Sequence, residues 1–299
     1  MEHQPRWTDI VNLAAPQTWT GSVTPAVIGL AISYHQLGRL DMLMAFCLLV
    51  IVLLMQSAVN AFDDYADFIK GTDTLENSPD AEDAVIVYGL NPKTARNLGF
   101  LFLIIAVFPA SYVVYRCGWV PLFIGLLGTF VLFWYAFGKT PISYLPLGEL
   151  LCGFVMGGLI PLAGYFMQTG QLNGFVLVEA LPPMIGMAIN MFSNNGCDIE
   201  RDLPAGRKTL ACLIGQKRTG RLYRILLLLW VFSPIVILGA QQRWGSVLVY
   251  VLISLAYLHL IIRQYRIQLG APARDAVMTG ATTLVSLVGL SYALAMVIG

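Results

Sequence analysis

Apolar residues run along this chain in long blocks, and polar residues gather in the gaps between them. A helix needs about 20 mainly apolar residues to cross a bilayer. Blocks of that size recur nine times, near 22–38, 42–62, 94–115, 119–137, 147–168, 173–193, 222–242, 244–262 and 277–298. The first is the shortest and carries Thr24, Pro25 and Tyr34. The pattern predicts an all-α integral membrane protein of about nine transmembrane helices around a central cavity. Acidic clusters close the second and sixth helices, so helices 1–4 and 5–8 read as two four-helix pseudo-repeats followed by a ninth helix. Residues 1–299 then form a single transmembrane domain. Its two long loops, 63–93 and 194–221, are of a length that is usually functional or disordered, and they are expected to cap an active site.

Charge supports the layout and orients it. Only 12% of the residues are charged and 57% are hydrophobic, against about a quarter charged in soluble domains; mean hydropathy is +0.71. With nine spans, all 18 Lys and Arg except Arg39, Arg116 and Arg243 fall on one side. Positive loops stay cytoplasmic, which predicts a multi-pass cell (inner) membrane protein with the N-terminus inside, the C-terminus outside and both acidic clusters facing the cytoplasm. Met1–Gly21, with Trp7, Asp9 and two prolines, has no apolar core and reads as no secretory signal. A net charge of +1 and the lack of a basic stripe argue against nucleic acid as a partner. The five cysteines form no CxxC pair and the three histidines lie far apart, so neither a disulfide framework nor a zinc site is expected.

The chemistry gathers at the two clusters. The first runs Asn60-Ala61-Phe62-Asp63-Asp64-Tyr65-Ala66-Asp67, then Lys70, Gly71 and Asp73; the second holds Asn194, Asn195, Asp198, Glu200, Asp202, Gly206, Arg207, Lys208 and Thr209. Positions i, i+3 and i+4 share a helix face. Asn60, Asp64 and Asp67 therefore stack at the end of one helix with Asp63 beside them, and Asn194, Asp198 and Asp202 stack after another. Stacked carboxylates repel, more strongly as the dielectric falls. Hard divalent cations relieve this, and Mg²⁺ characteristically takes one or two carboxylates plus waters and phosphate oxygens. The bland reading of either cluster alone is a solvated acidic helix end. Two clusters at equivalent places in a repeat, each with an asparagine one turn earlier, favour a metal site and a polyanionic substrate such as a diphosphate. Arg207 and Lys208, and Lys139 as the only positive charge of its loop, are suited to phosphate oxygens. Tyr65 and Tyr135 are the aromatic candidates for stabilising a developing carbocation.

These residues resemble the UbiA superfamily of intramembrane aromatic prenyltransferases. Asp63-Asp64-Tyr65-Ala66-Asp67 with Gly71-Thr72-Asp73 is similar to the family's first motif, and Asn194 to Asp202 with Gly206-Arg207-Lys208-Thr209-Leu210 to its second. Ala84 to Lys93 and Leu147-Gly148-Glu149 resemble the naphthoate-prenylating branch of menaquinone synthesis. The chain departs from the pattern at Asp63, where the family usually has Asn, and at Ala15, Val87 and Cys197, where arginines are usual. The resemblance implies Mg²⁺-dependent transfer of a polyprenyl group from a polyprenyl diphosphate to an aromatic acceptor such as a 1,4-dihydroxy-2-naphthoate-like quinone precursor, among membrane lipid. Asn60, Asp63, Asp64 and Asp67 would hold one ion, and Asp198 and Asp202 another. Asp64, Asp67, Asp198, Asp202, Lys139 and Asp73 would be catalytic. Asn60, Tyr65, Lys70, Tyr135, Asn194, Asn195, Arg207 and Lys208 would bind substrate. The alternatives are a different aromatic or specialised-metabolite acceptor, or a cation or metabolite transporter using the same carboxylates. Against the transporter, the acids sit at helix ends and not at the midplane, where transport sites lie.

Overall fold

The computed structural model of the chain describes residues 7–70, 89–136 and 141–299. A short helix, α1 (Trp7–Ala14), leads through a 3-10 turn into α2 (Thr20–Leu37), then α3 (Met42–Lys70). Next come α4 (Pro92–Cys117), capped at its start by the Asn91 side chain, α5 (Val120–Ala136) and α6 (Gly148–Thr169), whose middle, Gly153–Leu159, is wound as a π-helix. Two short pieces follow, α7 (Phe175–Glu179) and α8 (Leu181–Cys197), and then α9 (Ile199–Asp202) and α10 (Leu210–Ile214). The chain ends with α11 (Gln216–Ala240), α12 (Trp244–Ala256), α13 (Leu258–Arg266) and α14 (Arg274–Ile298). No strand occurs among the described residues.

Among the described residues helix covers most of each expected span, although 173–193 is divided between α7 and α8. By length and hydropathy, α3, α4, α6, α11 and the 271–298 segment are each able to cross a membrane, and α12 with α13 makes a sixth if the pair counts as one span. Two of the other three expected spans fall short for physical reasons: helix α2 carries Thr20, Ser22, Thr24, His35 and Gln36, and α8 is only 17 residues long and ends in a polar run; α5 runs to the edge of the described residues. One expected straight span, 244–262, is bent by 67° between α12 and α13. After Tyr257 the sequence turns amphipathic. Ile261 and Gln264 are buried while His259, Arg263 and Arg266 face out, so α13 suits an interface and not the bilayer interior.

The interior is built around α2 and α8. Helix α2 packs on α6 and α14, and α8 packs on the π segment of α6, on α11 and on α14. The α6–α8 approach is close enough that a Cβ at Gly157 would lie 2.4 Å from Met184 Cα and N. Helices α4 and α5 show large apolar side chains to the outside, Phe100, Ile104, Phe108, Phe123 and Phe130 among them. An apolar exterior of this extent marks a lipid-facing surface. This is a multi-pass membrane protein.

Candidate active site

The bundle encloses a cavity of about 1330 Å³, larger than the usual range of small-molecule sites. Its walls come from α2, α3, α4, α5, α6, α8 and α14, and most of its length is apolar. Polar side chains collect at one end: Asn60 and Asp63 of α3, Asn190 and Asn194 of α8, Arg274 of α14, and Gln17 and Thr18 from the turn before α2.

From Asn60 to Lys70 the first cluster is helical, because α3 runs on to Lys70 and does not stop near residue 62. Asn60 and Asp63 line the cavity, whereas Asp64 and Asp67 are half-buried alongside. Asn60 is heavily engaged: its Nδ2 donates to Ala14 O (3.0 Å) and Thr18 Oγ1 (2.9 Å), and its Oδ1 accepts from Gln56 Nε2 (3.3 Å). It ties the end of α1 to α3. Ala15, one of the departures from the family pattern, sits at this junction in the left-handed region, φ 45°. Tyr65 packs with Leu13, Leu90 and Ala95 beneath the Arg96 guanidinium, 5.9 Å from its ring centre. Asp73, Lys139 and Val87 lie outside the described residues, as does the side chain of Lys70.

The second cluster is more deeply set. Helix α8 breaks at Asp198, α9 carries the chain to Asp202, and Gly206, at φ 75°, turns the loop back so that Arg207 N donates to Asp202 O (3.0 Å). That return brings the Arg207 guanidinium to Asp202 Oδ1 (3.4 Å) and over the Tyr144 ring, 5.1 Å from its centre. Lys208, itself exposed, is fixed by its backbone N–H to Tyr144 O (2.9 Å). Asp198 is held from two sides, by Arg201 Nη2 (3.2 Å) and by Arg274 Nε (3.2 Å), and Arg274 Nη2 also donates to Asn194 Oδ1 (3.3 Å). Asn195 points elsewhere: it is buried and donates to Glu149 Oε1 (2.8 Å). Tyr135 lines the cavity, with its hydroxyl 3.2 Å from Met191 Sδ.

Arg207 links the clusters electrostatically. Its burial works against the charge, but the carboxylates of Asp202 and then Asp67 outweigh it and raise its pKa. Burial is also the main influence on Asp202, whose pKa is raised despite Arg207. The arrangement leaves complementary polar atoms unmatched: Asp202 Oδ2 is a buried acceptor and Arg207 Nε a buried donor, each without a hydrogen-bond partner. The acceptor suits a cation and the donor suits a phosphate oxygen. Among the described residues no three His, Cys, Asp or Glu side chains converge on one point. The donors that do approach are carboxylate and amide oxygens in ones and twos, which fits Mg²⁺ completing its shell from water and phosphate and does not fit an all-protein cage.

Three residues at this end escape a motif-based reading. Asn190 sits four positions before Asn194 and extends its ladder of fours toward Asp198 and Asp202, and its Oδ1 is buried at the cavity without a partner. Gln56 stands in the same relation to Asn60. The spacing itself was the signal. Arg274 reads in the sequence as one more positive loop charge, and only the fold brings it to Asp198.

An ionic site at the head of a long apolar cavity, inside a helical bundle, defines an α-helical membrane protein suited to a molecule with a charged head and an apolar tail. The particular lineage follows from similarity. The chain matches the UbiA prenyltransferase family over residues 22–294 and belongs to it. It is 34% identical over 236 residues to the 1,4-dihydroxy-2-naphthoate octaprenyltransferase of Bacillus subtilis, covering 78% of this chain and 75% of that protein. It is 30% identical over 261 residues to UbiA prenyltransferase domain-containing protein 1 of Mus musculus, covering 85% and 74%. The fold matches that of a UbiA homolog from Archaeoglobus fulgidus bound to DMAPP and Mg²⁺, with a TM-score of 0.68 at 13% identity over 97% of this chain and 99% of that one. The protein is a prenyltransferase, and the transporter reading is set aside.

Proposed function

We propose that the chain transfers a polyprenyl group from a polyprenyl diphosphate to an aromatic acceptor, a 1,4-dihydroxy-2-naphthoate-like quinone precursor, in a Mg²⁺-dependent reaction at the cytoplasmic face of the inner membrane. One observation carries the reading. Asn60 and Asp63 from the first half of the chain and Asn194 from the second line one apolar cavity, while Arg207 pairs with Asp202 at 3.4 Å and its charge is also favoured by Asp67. The B. subtilis relative, which carries naphthoate and octaprenyl in its name, supports the acceptor and the tail. The A. fulgidus homolog, bound to a prenyl diphosphate and Mg²⁺, supports the metal.

In this reading Asp64 and Asp67, with Asn60 and Asp63, hold one ion, and Asp198 and Asp202 hold the other. Magnesium there supplies positive charge to the departing diphosphate, the main electrostatic term in such a reaction. Arg207 and Lys208, together with Lys139 from its loop, bind phosphate oxygens, and the apolar walls shelter the tail from water. The allylic carbon–oxygen bond breaks with the electron pair leaving on diphosphate. A ring carbon of the acceptor then bonds to the allylic carbon and gives up its proton, and the family resemblance implies Asp73 as the acceptor of that proton. Tyr135 presents its ring to the developing cation. Loops 63–93 and 194–221 cap the site, and the loop charges set the N-terminus inside and the C-terminus outside. The test is an assay of membranes bearing Asp64→Ala or Asp198→Ala with labelled prenyl diphosphate and Mg²⁺. Each change is expected to cut transfer by at least about a hundredfold, the scale of losing an electrostatic contact to the transition state. Undiminished transfer in both would defeat the proposal.

A further inference from the structure

Arg274 is the first residue of α14, lines the cavity, and is 22% exposed. A helix N-terminus carries partial positive charge and favours acids. Asp275, next in sequence, answers that preference, and Arg274 opposes it. Its position is therefore not explained by the stability of its own helix. Nor is it required to neutralise Asp198, which already has Arg201 at 3.2 Å. The two arginines differ in direction: Arg201 is 38% exposed and outside the cavity lining, while Arg274 shares the polar end of the cavity with Asn60, Asp63, Asn190 and Asn194.

From this geometry we propose that Arg274 is a diphosphate-binding residue supplied by the last helix and held on Asp198 and Asn194 as an exchangeable counter-cation. The inference rests on the reading of Asp198 as a metal ligand. A divalent ion that binds Asp198 takes the oxygens to which Arg274 Nε now donates, at 3.2 and 3.5 Å. The guanidinium, released at the cavity wall, meets the phosphate oxygens that arrive with the ion, for which its planar fork of donors is suited. Arg274 thus opposes metal binding alone and favours metal and diphosphate together. Binding of the two becomes coupled, and a lone ion is held less firmly than one accompanied by donor substrate.

The experiment uses the purified full-length protein in nanodiscs, with Arg274→Gln, Arg274→Lys and Asp198→Asn. Mn²⁺ binding is read by electron paramagnetic resonance in the absence of diphosphate. Binding of geranyl thiolodiphosphate, an unreactive donor analogue, is read by calorimetry with Mg²⁺ present. Arg274→Gln is expected to bind Mn²⁺ several-fold more tightly and the analogue about tenfold more weakly, the loss of one charge-assisted contact. Arg274→Lys, which keeps the charge without the fork, is expected between Arg274→Gln and the parent in both. If the glutamine variant does not fold, the lysine variant is read alone against the same opposite changes. Parallel change in the two affinities, or none, overturns the proposal and leaves Arg274 a structural ion pair. Asp198→Asn separates the two levels: unaltered Mn²⁺ binding there defeats the metal reading itself, whereas loss there with no response at Arg274 defeats only this inference.

Discussion

Asp202 offers one carboxylate oxygen to Arg207 and keeps the other buried without a partner. Burial outweighs the arginine, so its pKa in the folded protein is raised above the ordinary 3.8. The folded state then binds more protons than the unfolded chain between those two values, and stability falls as pH rises through that interval. We predict that metal-free protein in detergent loses thermal stability as pH is raised from 3.8 through the folded value of Asp202, that Mg²⁺ restores part of the loss, and that Asp202→Asn flattens the slope. Melting curves across that range, with and without chelator, provide the check, and a rising slope would contradict the assignment. The same residue shows what the sequence could carry. That Asp198 and Asp202 share a face follows from a spacing of four. That Arg207 folds back on Asp202 depends on the Gly206 turn, and that Arg274 reaches Asp198 depends on contact across 76 positions of chain. Local periodicity holds no record of either. The opposite failure occurs at Asn195, adjacent to Asn194 and matched by motif, but rotated about 100° around the helix and so delivered to Glu149 and the interior.

Helices were the most legible level, because a membrane-length apolar block has few other ways to satisfy its backbone. The boundaries were less so. Helix α3 extends to Lys70 and α8 to Cys197 past the apolar blocks that announced them, since polar residues at a helix end continue the hydrogen-bond ladder as readily as apolar ones. The extensions matter: the first puts Asp63, Asp64 and Asp67 on one continuous helix, and the second carries α8 up to the break at Asp198. The bend at Tyr257 and the π segment at Gly153–Leu159 were not legible, as neither contains a proline to mark it. The π segment borders the cavity and packs on α8, and π turns recur at functional sites. It also sets the tightest contact described above, so Gly157→Ala is predicted to push α6 and α8 apart. The expected cost is about 1–3 kcal/mol, with activity lost in proportion as Asn190 and Asn194 shift on α8. Gly174→Ala is the control, since a Cβ there meets nothing within 4 Å. Equal melting temperatures for the two variants would show that the helices are not held by this contact.

At the scale of the whole molecule, the arrangement separates two tasks along one cavity. The ionic end gathers residues from α3, α8 and α14, while the apolar length is bounded by α4 and α5, whose outer faces meet lipid. A charged head can be processed at one end while a tail remains in surroundings close to those of the membrane. The division implies that tail length is read far from the chemistry. On α4, Gly99 packs against Phe62, which fixes the level of the first acidic cluster. Ala110 lines the cavity further along the same helix, about 16 Å below that level at 1.5 Å per residue. Ala110→Trp places a large ring across the path without touching the carboxylates or arginines. A short donor, dimethylallyl diphosphate, ends above the obstruction and is expected to react with kcat/KM unchanged. A long polyprenyl donor must displace the ring or fold back, at about the cost of overpacking a core, so its kcat/KM is expected to fall by about tenfold or more. Steady-state assays of both donors on one preparation give the ratio directly. Equal loss for both would mean the change had damaged the site or the fold, and equal retention would mean the tail takes another route, leaving the cavity sideways between helices before it reaches Ala110.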